Sequence, residues 1–244
     1  MTYLKQLKTF LLLAVMLMVV STNSVKAQFL PNSSIPLDQN NGGRSITLSA
    51  LKPGDIIVST TSDKISSSIR LVTQAEVSHA ILYIGNNSVI EAVEDGVTIT
   101  PIEQALNKSK LAVAFRHPDV DSSKAKIITD FSFTQLGKKY NILGLLRHPR
   151  FGILAETCNT YSGAKKNACR VWEGLIKLAT EIIIGNNAFV NNDSFFCSQL
   201  VADSYKKASI DLFAISSEKT SPGDIPILEK IGDLRYVGHL KSSL

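Results

Sequence analysis

The sequence is poor in cysteine and in long apolar segments. It contains three cysteines and four histidines, and these residues do not form the closely spaced pairs that are typical of zinc sites. The apolar run Phe10–Val20 has 11 residues, whereas a membrane-spanning helix needs about 20. No later stretch is a better candidate for a membrane span.

The spacing of the cysteines and histidines predicts no metal site, and the sequence predicts no other cofactor.

The N-terminus has the features of a secretory signal peptide. Two lysines precede the run Phe10–Val20, and small residues follow it up to Ala27. We therefore expect cleavage after Ala27 and an exported protein, either periplasmic or extracellular. The alternative is an uncleaved membrane anchor. A lipid-anchored N-terminus is not predicted, because no cysteine lies near the cleavage site.

The excess of positive charge is small outside this N-terminal segment. The formal net charge is +5 at pH 7, but the first 27 residues hold three lysines and no acidic residue, which leaves 23 basic residues against 21 acidic ones. A nucleic-acid-binding surface usually needs a strong basic excess. The sequence therefore predicts no nucleic-acid partner, and it is silent on the oligomeric state.

The remaining chain reads as a flexible leader followed by one domain. Residues 28–48 are rich in Asn, Ser, Pro and Gly, whereas residues 49–244 alternate short strand patterns with helical ones. Antiparallel strands in the middle and helices towards both ends predict an α+β domain. The less regular residues 145–192 are interpreted as an insertion. Structural elaboration, a lid over the site and a lipid-facing wall all remain open for it.

Export changes the interpretation of the cysteines. Cys158 and Cys169 lie in a short polar stretch, which predicts a disulfide. Cys197 is then unpaired, and it lies at the start of a predicted helix in "NDSFFCSQLVADSYKKA", with Asp193 or Ser194 as the expected N-cap. The dipole at a helix start favours a reactive thiolate. The alternative is a buried cysteine that only packs.

A histidine base for this thiol is found on a predicted strand. His79 opens "HAILYIG", where strand alternation places it on the same face as Ile81 and Tyr83. If "GNN" forms a three-residue hairpin loop, Ile81 pairs with Glu91, and Glu91 shares the face of His79. A two-residue loop would select Glu94 instead. A purely structural histidine is the alternative.

Together these segments resemble a known family. The residues "LKPGDIIV", "VSHAILYIGNNSVIEAVEDGV", "LGKKYN" and "FFCSQLVADSY" are similar to the circularly permuted papain-like cysteine hydrolases of the YaeF/YiiX type, which are relatives of the NlpC-type cell-wall peptidases. The resemblance covers about residues 50–140 and 194–240. It implies a permuted papain-like α+β fold, in which the cysteine helix packs against a small antiparallel sheet or barrel.

The resemblance also implies the roles of single residues. Cys197 would be the nucleophile, His79 the base and Glu91 the residue that fixes the imidazole tautomer. Tyr140, in "GKKYN", matches a tyrosine that these proteins often place near the site, which implies a substrate-binding role. A tyrosine that only packs after a helix is the alternative.

Three functions are compatible with this set of residues. The first is an exported amidase or peptidase that cleaves a cell-wall peptide or related amide through a thioester. The second is a lipid-directed thiol hydrolase or acyltransferase with an N-acyl or lipid substrate and peripheral membrane contact. The apolar insertion and a similarity to lecithin:retinol acyltransferase-like proteins suggest this second function. The third is a non-catalytic binding module, which the intact Cys–His–Glu set disfavours.

Overall fold

The computed structural model describes residues 37, 43–61, 66, 69–70, 75–140, 163 and 194–241. All of them lie within one structural unit, residues 33–244. The predicted signal peptide, the predicted disulfide and nearly all of the predicted insertion lie outside the described residues. Within the described part of the chain, no helix is both long and apolar enough to cross a membrane.

The regular elements alternate strands with short helices. The strands are β1 (Ile56–Thr61), β2 (His79–Gly85), β3 (Ser88–Val93), β4 (Gly96–Pro101), β5 (Ser109–Arg116), β6 (Lys139–Tyr140), β7 (Ser194–Phe195) and β8 (Arg235–Lys241). The helices are α1 (Ile102–Ala105), α2 (Ser122–Phe133), α3 (Cys197–Lys207) and α4 (Ile225–Lys230), with 3-10 turns at Leu48–Ala50, Ser217–Lys219 and Pro222–Asp224.

Six of the strands form one antiparallel sheet. Their order is β4-β3-β2-β1-β5-β8, so the strands that follow each other from β1 to β4 are also neighbours in space. The other two strands, β6 and β7, form a separate parallel pair. The predicted α+β class with a small antiparallel sheet is confirmed.

Apolar side chains of the sheet fall into two buried clusters. In β2, Ala80 and Leu82 belong to one cluster, whereas Ile81 and Tyr83 belong to the other. The first cluster also holds four side chains of α3: Cys197, Leu200, Val201 and Tyr205. The predicted alternation is therefore confirmed for Ala80 to Tyr83 of β2, and α3 packs against the sheet through the first cluster.

The hairpin between β2 and β3 differs from the predicted loop. Gly85 pairs with Ser88, so the turn has two residues, Asn86 and Asn87, and both have positive φ, 50° and 53°. Asparagine tolerates this left-handed conformation better than most side chains, and hairpin turns of this kind require it. The three-residue "GNN" loop is wrong.

A bulge nevertheless restores the expected register in the body of the hairpin. The pairing shifts by one residue between Tyr83 and Gly85, and Leu82 then pairs with Ile90. The next residues along, Ile81 and Glu91, are therefore opposite each other. An extra residue in one strand compensates for the missing loop residue, so Glu91 keeps the position that the longer loop predicted for it.

Both copies of the "PGD" sequence form the same kind of turn. The Asp55 carboxylate accepts a hydrogen bond from the backbone N–H of Lys52 at 2.8 Å. The Asp224 carboxylate does the same for the N–H of Ser221 at 2.7 Å. An aspartate that caps an N–H three residues earlier is common turn chemistry. The two segments share this local hydrogen bond, which is not evidence of a repeated domain.

Candidate active site

His79 and Glu91 form a hydrogen-bonded pair across two neighbouring strands. His79 is the first residue of β2, and its Nε2 lies 2.8 Å from Oε2 of Glu91 on β3. The exposed fraction of the side chain is 21% for His79 and 7% for Glu91. Glu94, the alternative acid, lies exposed in the turn that follows β3. The structure thus joins His79 to the acid that the longer hairpin loop predicted.

Cys197 is the first residue of α3, and it is a buried free cysteine. Its thiol lies beside the imidazole of His79, and their interaction helps to raise the pKa of His79. Since Nε2 of the imidazole faces Glu91, Nδ1 is the ring nitrogen that remains for the sulfur. The first N–H groups of a helix have no intrahelical acceptor and carry partial positive charge. The thiol therefore lies between an imidazole and a helix start.

The cap of α3 differs from the prediction. The N-cap residue is Phe196, whose backbone N–H donates to the side-chain oxygen of Gln199 at 3.5 Å. Ser194 belongs to β7, and Asp193 lies outside the described residues. The predicted N-cap at Ser194 is wrong, because the chain stays extended through β7 until Phe196. This places Cys197 in the first helical position.

The charges of His79 and Glu91 are determined by their surroundings. Burial of His79 disfavours its charged form, but the hydrogen bonds and charges of Cys197 and Glu91 outweigh burial and raise the pKa of His79 from 6.5 to about 10. Burial also acts to raise the pKa of Glu91, but His79 and a hydroxyl from Thr100 lower it overall. At neutral pH the site therefore holds an imidazolium against a carboxylate, which supplies the positive charge that a thiolate nucleophile requires.

Tyr140 contacts the cysteine directly. In the parallel pair of β6 and β7, Tyr140 lies beside Phe195, and its ring centroid is 5.9 Å from that of Phe196. Burial, the charge of Cys197 and a hydrogen bond with Cys197 raise the pKa of Tyr140 well above its usual value of 10. The hydroxyl therefore stays protonated and can donate to the sulfur. The ring therefore packs near Phe196, and the hydroxyl lies beside the sulfur.

The edge strand β4 extends to the start of α3 through a chain of backbone contacts. The N–H of Val97 donates to the carbonyl of Lys138 at 2.8 Å, and the next residues form β6, which pairs with β7. Gly96 permits this approach: its φ is +112°, and a Cβ there would lie 2.6 Å from the Lys138 oxygen. Because β7 leads directly into Phe196 and Cys197, the sheet edge determines where α3 begins.

Thr100 is a contributor that the sequence reasoning missed. It lies on β4, where Glu91 pairs with Thr98 and Val89 pairs with Thr100. Paired residues share a face, so Thr100 is the diagonal neighbour of Glu91. Its hydroxyl hydrogen-bonds the Glu91 carboxylate. The alternation of "GVTITP" could have indicated it once β3 and β4 were paired.

No group of three or more His, Cys, Asp or Glu side chains is placed to hold a metal ion within the residues that the structure describes. The described site instead joins a cysteine, a histidine and a carboxylate in a line. A cysteine at a helix start, with a histidine and its orienting partner on strands of a packed sheet, is the arrangement of papain-like thiol hydrolases. The chain order His, Glu, Cys corresponds to the permuted form.

The family model and the curated relative that match this chain agree with this class. A family model described as "Permuted papain-like amidase enzyme, YaeF/YiiX, C92 family" matches residues 50–144. The curated protein "Probable lipoprotein peptidase YaeF" of Escherichia coli (strain K12) is 32% identical over 212 residues, covering 82% of this chain and 75% of the relative. The crystal structure of "metalloprotein yiiX" from Escherichia coli O157:H7 is similar with 19% identity and a TM-score of 0.43, over 66% of this chain and 68% of the other.

The chain belongs to the C92 family of permuted papain-like amidases, the YaeF/YiiX type. It has the permuted papain-like α+β fold and is a cysteine hydrolase of the amidase and peptidase class. The resemblance recognised from the sequence is confirmed, and a non-catalytic binding module is disfavoured by the same findings.

Proposed function

We propose that this protein is an exported amidase or peptidase in which Cys197 attacks an amide carbonyl of a cell-envelope peptide. The observation that carries the proposal is the contact of Cys197 with His79, which is held in turn by Glu91 at 2.8 Å. A nucleophile, a base within hydrogen-bond reach and a third group that orients the base are what acyl transfer requires.

In the first half of the proposed reaction, the Cys197 sulfur forms a bond to the substrate carbonyl carbon. The carbonyl oxygen becomes an oxyanion, for which the backbone N–H at the start of α3 is the natural donor. The C–N bond then breaks, and the leaving amine takes a proton from the imidazolium of His79. The product of this half is an S-acyl Cys197 thioester and a free amine.

Water completes the reaction. His79, now neutral, takes a proton from a water molecule, whose oxygen attacks the thioester carbonyl. The C–S bond breaks, and the products are a carboxylic acid, the Cys197 thiolate and the imidazolium of His79. Glu91 keeps its negative charge throughout, since its role is to orient the ring and to stabilise the imidazolium.

Tyr140 is proposed to bind the substrate at the sulfur. Its protonated hydroxyl lies against Cys197 in the absence of substrate. When the sulfur becomes acylated, this donor is available to a polar atom of the bound acyl group. The stacking of Tyr140 near Phe196 holds the ring in place.

Two properties of the N-terminal and central segments belong to this proposal. Residues 1–27 are proposed to be a signal peptide that directs the protein to the periplasm or the outside, and the relative that is named a lipoprotein peptidase is compatible with export.

Cys158 and Cys169 are proposed to form a disulfide in that oxidising compartment. Mass spectrometry without reductant should find these two cysteines joined and Cys197 free. A bridge to Cys197 would contradict its assignment as the nucleophile.

A lipid-directed activity has one supporting observation. The segment between β6 and β7 starts directly after Tyr140 and ends directly before Ser194, and these two strands are paired beside the Cys197 helix. The described residues on both sides of the predicted insertion therefore lie near Cys197. This placement favours a role of residues 145–192 in substrate choice, which includes an N-acyl or lipid substrate and peripheral contact with a membrane.

Digestion assays would separate these functions. Purified peptidoglycan, N-acyl amides and acyl lipids should be incubated with the wild type and with Cys197→Ala, and the products followed by mass spectrometry. Release of peptide amines from peptidoglycan by the wild type alone would support the amidase, and release of a fatty acid alone would support the lipid-directed enzyme. As an internal check, iodoacetamide should add one label to the unreduced wild type and none to Cys197→Ala.

A further inference from the structure

The two "PGD" turns both bind the helix that carries Cys197. The hydroxyl of Ser198 donates to the carbonyl of Thr220 at 2.9 Å, directly before the second turn. The hydroxyl of Tyr205 donates to the carbonyl of Gly54 at 2.5 Å, within the first turn. Ser198 lies in the first turn of α3 and Tyr205 near its end, so each end of the helix is tied to one of the turns.

Both bonds are buried. Within the described residues, no other hydroxyl of α3 forms a hydrogen bond to a segment outside the helix. Ser198 and Tyr205 are both 0% exposed, and Thr220 is 1% exposed. Ser204 provides the contrast within the same helix. It is also 0% exposed, but its hydroxyl donates to Leu200, one turn earlier in the same helix, at 2.7 Å. Among the described residues, Ser198 and Tyr205 are therefore the α3 residues whose hydroxyls bond outside the helix.

The first turn is held rigid by a buried carboxylate. Besides capping Lys52, Asp55 accepts two hydrogen bonds from the guanidinium of Arg116, each at 2.6 Å. The same guanidinium donates to the carbonyl of Ala50 at 2.8 Å. A bidentate pair of this kind fixes the orientation of both partners. The carbonyl of Gly54, which accepts from Tyr205, is therefore held in place.

The second turn lies between the two elements that carry the reacting groups. Its Asp224 carboxylate accepts from both the N–H and the hydroxyl of Ser221, at 2.7 and 2.8 Å. On its other side, a Cβ on Gly223 would lie 2.2 Å from the Cβ of Ala75. Ala75 precedes His79 by only four residues. The turn thus contacts the first turn of the Cys197 helix through Thr220 and the approach to the His79 strand through Gly223.

We propose that Ser198 and Tyr205 are positioning residues that fix α3 on the two "PGD" turns and so set the distance between Cys197 and His79. Ser198 has the larger effect, because it adjoins Cys197, whereas Tyr205 is two turns away. Neither residue touches the substrate. The inference rests on the proposed role of Cys197 and adds the device that holds its sulfur within reach of the imidazole. A helix start that can slide would lose this contact, since proton transfer and attack tolerate little misplacement.

The test compares three single variants in the full-length protein: Ser198→Ala, Tyr205→Phe and, as the matched control, Ser204→Ala. Each removes one buried hydroxyl of α3, so we expect similar decreases in melting temperature. The discriminating measurement is the rate of iodoacetamide alkylation of Cys197 as a function of pH, followed by mass spectrometry. We expect this rate to fall about tenfold at neutral pH in Ser198→Ala, less in Tyr205→Phe, and not at all in Ser204→Ala.

The pH profile should change together with the rate. Because the thiolate is the reactive form and the imidazolium supports it, the half-maximal rate of Ser198→Ala should move to higher pH than that of Ser204→Ala. Equal rates and equal profiles in Ser198→Ala and Ser204→Ala would overturn the inference and leave Ser198 a purely structural residue. A wild-type Cys197 that does not react with iodoacetamide would instead overturn the proposed function, and this inference with it.

Discussion

The Nε2 atom of His79 lies 2.8 Å from Oε2 of Glu91 on the adjacent strand. This bond leaves Nδ1 of the ring for Cys197. It also gives the proton on Nε2 a carboxylate acceptor. The carboxylate is nearly buried and is itself held by the hydroxyl of Thr100. Orientation and charge of the histidine therefore both depend on Glu91.

Replacing Glu91 with glutamine should separate charge from shape. Glutamine can still hydrogen-bond the ring, but the loss of negative charge lowers the pKa of His79 from about 10. We expect kcat/KM at neutral pH to fall about 10²- to 10⁴-fold and the alkaline limb of its pH profile to move to lower pH. Glu94→Gln, in the exposed turn after β3, is the control and should leave both unchanged. An alkaline limb that stays in place in Glu91→Gln would show that Glu91 does not set the charge of His79.

The raised pKa of His79 also predicts how stability depends on pH. A group whose pKa is higher in the folded state than in the unfolded one stabilises the fold fully below its unfolded value, here 6.5, and this contribution is lost as the pH rises to about 10. Thermal unfolding of the wild type and of His79→Gln should be compared across this range. We expect the wild type to have its largest advantage near pH 6 and to lose it by about pH 10. A difference that does not vary with pH would contradict the raised pKa.

Tyr140→Phe should affect the reaction and leave the fold intact. The ring would keep its contact with Phe196, but the hydrogen bond to Cys197 would be lost. We expect kcat/KM to fall about tenfold, because one ordinary hydrogen bond contributes about 1 kcal/mol net and somewhat more at a charged group, with little change in melting temperature. Tyr83→Phe is the control, because the Tyr83 hydroxyl accepts from the backbone N–H of the hairpin residue Asn87 at 3.3 Å and, within the described part of the chain, forms no hydrogen bond with a residue of the site. Equal activity of the two variants would mean that Tyr140 only packs.

The buried ion pair of Asp55 and Arg116 should matter much more for stability than a surface pair. The Asp55 side chain is 1% exposed, so Asp55→Asn leaves a partly buried guanidinium without its charge partner. We expect the free energy of unfolding in urea to fall by about 3 kcal/mol. Asp130→Asn, which breaks the exposed pair of Lys126 and Asp130, should cost no more than about 0.5 kcal/mol. Similar losses in the two variants would contradict the importance of the first "PGD" turn.

The hairpin of His79 and Glu91 shows where sequence reasoning succeeds and where it fails. Alternation along β2 and β3 predicted correctly that the two side chains share a face, because the two-residue period of a strand is a local property. The loop length was wrong, and the choice of Glu91 over Glu94 depended on it. The actual turn at Asn86 and Asn87 is one residue shorter. The bulge after Tyr83 that compensates for it depends on how the whole sheet packs, which no local pattern records.

The start of the Cys197 helix follows the same rule. The apolar spacing of "FFCSQLVADSY" predicted the helix, since helix periodicity is also local. Its N-cap was assigned to Asp193 or Ser194 from side-chain preference alone. The cap lies at Phe196, because the parallel pairing of β6 with β7 keeps Ser194 extended. A contact between segments that are far apart in the chain overrides the local preference.

The residue types of the site, the approximate position of its helix and the resemblance to the permuted papain-like hydrolases follow from periodicity and short motifs. The folded protein is needed to see that Cys197 lies beside His79, that Tyr140 lies beside the sulfur and that two "PGD" turns hold the two ends of α3. Those relationships join residues that are distant in the chain, and they arise from close packing and long-range hydrogen bonds.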